Sequence, residues 1–142
     1  MTTTETLPSP SATGPFESLR PIVLNLWRVG IGFMFFTHGG QKLFSWFGGT
    51  AVTEWMSLRG VAGFLEFFGG IAIVLGLQTR YVAFLLSGQM AVAYWYRHVG
   101  GRGLWHWGNG GELAAVYSLT FLAMSIVGGG DWSIDGVMKR KQ

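Results

Sequence analysis

The stretch VAGFLEFFGGIAIVLGL, residues 61–77, holds seventeen residues and one charge, Glu66. Three residues, QTR, separate it from YVAFLLSGQMAVAYWY, residues 81–96, which carries no charge. Two further apolar runs flank this pair: residues 22–36, with the single charge Arg28, and residues 113–127, with none. A membrane-spanning helix needs about 20 predominantly apolar residues, with a range of about 17–25. Extension at the ends brings each run to that length. The first continues through Thr37, His38 and Gln41 towards Phe44. The second begins near Trp55 or Leu58. The third ends in Trp95, Tyr96, Arg97 and His98 at the interface, and the fourth has Tyr117 and the glycines after Val127.

Amphipathic helices of a soluble bundle would show a polar outward face. The third and fourth runs are apolar all round, apart from Ser87, Gln89, Ser118, Thr120 and Ser125. All seven Trp (Trp27 fitting least well) lie near the run ends or in the connecting loops, as expected of interfacial anchors. The expected fold is therefore all-α, a transmembrane four-helix bundle with antiparallel up-down helices. Composition agrees. Charged residues are 12 % of the 142, against about 25 % in soluble domains. A net charge of +3 is too small to imply a nucleic-acid partner. The absence of cysteine excludes disulfides, zinc–thiolate sites and thiol catalysis by this chain.

Residues 1–18 read as a disordered Thr/Ser/Pro-rich tail, residues 19–137 as the membrane domain and residues 138–142 as a basic tail. An even number of spans puts both termini on one side. Lys139, Arg140 and Lys141 make that side cytoplasmic by the positive-inside rule. The long loops, residues 45–60 and 99–111, then share the outer face with His38, Lys42, Glu66, His98, His106, Asn109 and Glu112.

Charges within spans demand an explanation. Arg28 and Glu66 are open to three readings: an ion pair holding helices together, two side chains snorkelling to opposite interfaces, or a charged pocket. Glu112 suits a helix N-terminus or a functional carboxylate. Asn109 suits a cap, a turn or a ligand contact. No His or acidic pair shows a diagnostic metal-ligand spacing, and Lys42 would oppose a cation, so no metal site is expected.

At these residues the chain resembles the DoxX family of small four-helix membrane proteins. The segments that carry the likeness are LWRVGIG (26–32), HGGQKLF (38–44), FLEFFGG (64–70), LGLQTR (75–80), GQMAVA (88–93), NGGE (109–112) and DWSID (131–135). Arg28, His38, Lys42, Glu66, Arg80, Asn109 and Glu112 fall on the family's recurrent polar positions. The resemblance implies a multi-pass protein of the bacterial cytoplasmic membrane. It is similar to small membrane subunits associated with thiosulfate:quinone oxidoreductases, and other relatives act in oxidative-stress complexes with soluble partners. Cysteines found in some relatives are missing here, which speaks against a thiol relay.

The leading expectation is a membrane subunit of a redox system, with quinone or a similar apolar ligand near the outer face. Glu66, His38 and Glu112 would relay protons. Arg28, Lys42, His98, Asn109, Phe67 and Trp105 would form the ligand pocket. The chain has no redox-cofactor motif, so a soluble partner protein would carry the electrons. A second copy of the chain is a further expected partner beside the bilayer. The competing readings are a non-enzymatic anchor or assembly partner and a small-solute pathway.

Overall fold

The computed structural model describes residues 14, 16–100 and 102–141. The expected disordered tail falls largely outside them. All regular elements among the described residues are helical. A 3-10 turn, Glu17–Leu19, leads into α1 (Arg20–Phe44), and a second such turn, Trp46–Gly48, follows it. Next come α2 (Leu58–Leu75) and α3 (Thr79–Ala93), which continues as a π-helical stretch, Tyr94–Val99. The short α4 (His106–Asn109), α5 (Glu112–Val127) and α6 (Ile134–Lys139) complete the order. The helix α6 runs into the segment read as a basic tail.

Local chemistry sets the boundaries. Pro21 lies in the first turn of α1, where its missing N–H costs nothing. The Ser57 hydroxyl accepts from the Gly60 N–H at 3.1 Å and caps α2. Gly76, in the left-handed region at φ +68°, ends α2 and lets the chain turn into α3 within three residues.

Close approach between α1 and α2 rests on glycine. A Cβ on Gly39 would lie 2.3 Å from the Phe67 backbone nitrogen, and one on Gly70 would lie 2.5 Å from that of Phe36. Gly32 faces Ile73 and Val74, while Gly63 faces Leu43. Ascending positions on α1 thus meet descending positions on α2, so the two helices cross antiparallel. Small residues at a helix–helix contact allow this backbone proximity. Gly39 and Gly40 do not break α1; they accept Phe67 and Trp46 against its surface. On the other side of the molecule α3 packs along α5. There Ser87 and Ser118 each donate to the other's backbone carbonyl, at 2.8 and 3.0 Å. Phe35, Ile73, Leu86, Tyr117, Phe121 and Met124 form the core between these layers.

Arg28 and Glu66 do not pair. Arg28 is buried at the far end of α1 and donates to the carbonyls of Ile73 (2.8 Å) and Val74 in the last turn of α2. It also donates to Trp132 O at 2.9 Å and Asn25 Oδ1 at 3.3 Å. A guanidinium suits this place because its fan of N–H donors satisfies carbonyls that a helix C-terminus leaves open. The C-terminal segment thereby clips the α2–α3 turn. The Asp135 carboxylate accepts from the N–H groups of Gln78 (2.8 Å) and Thr79 (2.7 Å). The Asp135 N–H donates to Gly76 O at 3.0 Å.

The outward surface is apolar. Leu26, Phe33, Phe84, Leu119 and Ile126 are each more than half exposed. The helices α1 and α2 are long and apolar enough to cross a membrane, and α5 is a shorter apolar helix.

Candidate functional site

Where α1 and α2 meet α3 and α5, near the end opposite Arg28, the structure brings several polar groups together. Glu66 is turned inward from α2 and is 2 % exposed. Lys42, on α1, reaches across and donates to Glu66 Oε1 in an ion pair. The Lys42 side chain remains 28 % exposed. From α3, Gln89 Nε2 donates to the same oxygen at 3.2 Å. The carboxylate fixes the orientation of this amide, because the amide carbonyl would repel it.

Three buried side-chain atoms at this site have no partner among the described residues: Glu66 Oε2, Gln89 Oε1 and Tyr117 Oη. Burying an unsatisfied polar atom costs about 1–3 kcal/mol. Two of the three, Glu66 Oε2 and Tyr117 Oη, belong to residues that line one space. That space is a cavity of about 180 Å³. Phe35, Met90, Leu113 and Ala114 supply apolar wall, while His38, Lys42, Glu66, His98 and Tyr117 supply polar wall. The His38 ring stands edge-on to Tyr117 at 5.9 Å.

The loop beyond α3 completes the rim. Asn109 is buried, donates to Gly103 O at 3.0 Å and accepts from the Gly111 N–H at 2.7 Å. Its side chain therefore shapes the turn, and its backbone carbonyl serves His98. That carbonyl accepts from His98 Nδ1–H at 3.2 Å. A carbonyl cannot donate, so the proton of neutral His98 sits on Nδ1 and Nε2 keeps its lone pair.

Of the residues expected from sequence, His38, Lys42, Glu66 and His98 line the cavity. Four others lie elsewhere. Arg28 holds the opposite end of the molecule. Phe67 packs between α1 and the following turn, 5.1 Å from Phe36, 5.2 Å from Phe44 and 5.7 Å from Trp46. Trp105 is 68 % exposed and stacks on Trp107 at 5.0 Å. Glu112 is exposed in the first turn of α5, where its charge favours the helix N-terminus. Gln89 and Tyr117 were missed. A signal was there, since each is the lone amide or phenol in its apolar run.

Among the described residues every regular element is helical, two helices are long and apolar enough to cross a membrane, and an ion pair is enclosed by an apolar exterior, the features expected of an integral membrane protein. The DoxX family profile matches residues 23–99, more than half of the chain, and the chain belongs to the DoxX family. That match holds Lys42, Glu66, Gln89 and His98 and stops short of Tyr117 on α5. The chain is 42 % identical over 132 residues to an uncharacterized protein of Haemophilus influenzae, covering 88 % of this chain and 97 % of the relative. It is 29 % identical over 137 residues to the inner membrane protein YqjF of Escherichia coli, covering 88 % and 98 %. No solved structure matches it significantly.

Proposed function

We propose that the protein crosses the membrane four times, with α1, α2, α3 and α5 as antiparallel spans and both termini in the cytoplasm. Its cavity receives a single-ring, proton-exchanging ligand of the quinone class within a redox assembly. Length supports the spans. At 1.5 Å per residue, α1 is about 38 Å long, α2 about 27 Å, α3 with its π-helical continuation about 32 Å and α5 about 24 Å. Exposed apolar side chains on all four helices support the same reading. Lys139, Arg140 and Lys141 support the orientation.

The observation that carries the ligand reading is the pair of unpartnered atoms, Glu66 Oε2 and Tyr117 Oη, on residues lining the cavity. A cavity of about 150 Å³ holds benzene, so about 180 Å³ is room enough for one ring. The residues fit such a head group. Tyr117 and the free N–H bonds of Lys42 would donate to ring carbonyls. Glu66 Oε2 would accept from a protonated ring oxygen, with Lys42 balancing its charge. His98, with Nε2 unprotonated, would exchange protons with the outer aqueous side. When bound, a quinone supplies two-electron acceptor chemistry. The chain has no thiol to furnish those electrons, so they arrive from a partner protein.

The test is binding of a water-soluble single-ring quinone to the purified protein in lipid nanodiscs, comparing wild type with Tyr117→Phe. The substitution deletes one unpartnered oxygen. We expect about tenfold weaker binding with thermal stability unchanged or slightly raised. Unaltered binding overturns the assignment, and so does a loss of stability, which would give Tyr117 a structural duty.

A further inference from the structure

At the opposite end of the molecule, the start of α3, the end of α5 and the helix α6 surround a second cavity of about 800 Å³. Arg80, Lys139 and Arg140 line it, together with the glycines at 128–130. These cations are largely unspent. Arg80 has one long bond, 3.5 Å to Val127 O, and Arg140 one of 3.2 Å to Asp131 O. Each guanidinium carries five N–H donors. None of the three cations joins an ion pair within 4.0 Å among the described residues.

Two carboxylates also face this cavity, and they differ. The Asp135 charge is committed to the N–H groups of Gln78 and Thr79. The Asp131 side chain is exposed and opposes an incoming anion. Three cations against two carboxylates leave the cavity with a net positive charge of one, and the Asp135 carboxylate is turned to the N–H groups of the α2–α3 turn. Its level in the molecule matters too. Arg80 stands in the first turn of α3, directly before the uncharged run 81–96. Tyr81, Val127 and Met138 line the same cavity and expose apolar surface. Cations beside apolar surface at a span boundary meet both halves of a phospholipid, the phosphate and the acyl chains.

We propose that this cavity binds the phosphate head group of an anionic phospholipid, with Arg80, Lys139 and Arg140 as its contacts. The site is separate from the cavity at Glu66 and does not depend on what that cavity binds. Native mass spectrometry of the full chain in mild detergent tests it, by titration with phosphatidylglycerol or phosphatidylcholine. Wild type retains phosphatidylglycerol in preference. At about fivefold per cation removed, Arg80→Gln loses most of that preference and Lys139→Gln/Arg140→Gln abolishes it. Asp131→Asn strengthens it. Arg59→Gln, a charge-matched change at the other end of the molecule, leaves it untouched. Equal retention of the two lipids overturns the proposal. So does an equal effect of Arg59→Gln, which would mean bulk charge alone. Inorganic phosphate at millimolar concentration does not displace the lipid; full displacement would make the site one for free phosphate instead.

Discussion

At the scale of single residues, Glu66 and Lys42 are paired but not equivalent. Glu66 is almost wholly enclosed, whereas Lys42 keeps 28 % of its side chain exposed. Removing one member of a buried pair strands the other, at a cost of about 3–5 kcal/mol. The stranded carboxylate of Lys42→Met is 3 % exposed and keeps only Gln89 as a partner, so that variant should lose close to this amount. Glu66→Gln should lose distinctly less, because Lys42 can turn outward. The double variant should recover most of the loss. Unfolding of the three proteins in detergent measures this, and equal losses in both single variants would contradict the asymmetry. The sequence disclosed that Glu66 needed a partner, because a lone acid in an apolar run is costly. It did not disclose which partner. Arg28 sits on the same helix as Lys42 and is equally cationic, and only the register of α1 on α2 separates them. That register depends on where glycine permits contact, a three-dimensional property. Gln89 and Tyr117 stayed hidden for a related reason, since a single polar group in an apolar run reads equally well as packing.

At the scale of elements, apolar run length located the helices well. The first run does extend to Phe44, and α2 begins at Leu58. Gly39 and Gly40, poor helix formers by propensity, are a contact surface of α1. Gly39→Ala places a methyl group 2.3 Å from the Phe67 nitrogen and must separate the helices. A loss of about 1–3 kcal/mol is expected, with the cavity at Glu66 disturbed as well. Gly30→Ala and Gly88→Ala meet nothing within 4 Å and should be neutral or slightly stabilising through helix propensity. Thermal melts of the three variants decide the matter, and equal melting would contradict the packing. The clip at the other end makes a pH prediction. Burial raises the pKa of Asp135, but bonds from Thr79 and Gln78 and the charge of Lys139 outweigh it, leaving the pKa below the ordinary value. A carboxylate with a lowered pKa contributes stability that is fully present above its unfolded pKa, about 3.9, and lost as pH falls through the folded one. The melting-temperature advantage of wild type over Asp135→Asn should stay constant from pH 7 to about 5 and shrink below about 4. An advantage that grew on acidification would contradict this.

At the scale of the whole molecule, one pattern recurs. The outward face is apolar, one end is clipped by Arg28 and Asp135, and the other encloses an incompletely satisfied polar space. Sequence placed the polar residues at the correct end, since topology alone brings His38, Lys42, Glu66 and His98 together. It placed too many there, because Glu112 and Trp105 share the end without facing the cavity. With four spans, single cysteines introduced at Thr4 and Gln142 should both react only from the cytoplasmic side, and one at Thr53 only from outside. Labelling with a membrane-impermeant thiol reagent reads this directly, because the chain has no cysteine of its own. Opposite reactivity of the two termini would contradict the even number of spans. The central claim is that the cavity at Glu66 holds a ring. Photo-crosslinking with a single-ring azidoquinone in nanodiscs, followed by peptide mass spectrometry, tests it most directly. Adducts are expected only in peptides containing Phe35, His38, Met90 and Leu113, and are suppressed by excess unlabelled quinone. Adducts spread over the lipid-facing side chains Phe33, Phe84 and Leu119, and insensitive to that competitor, would contradict it.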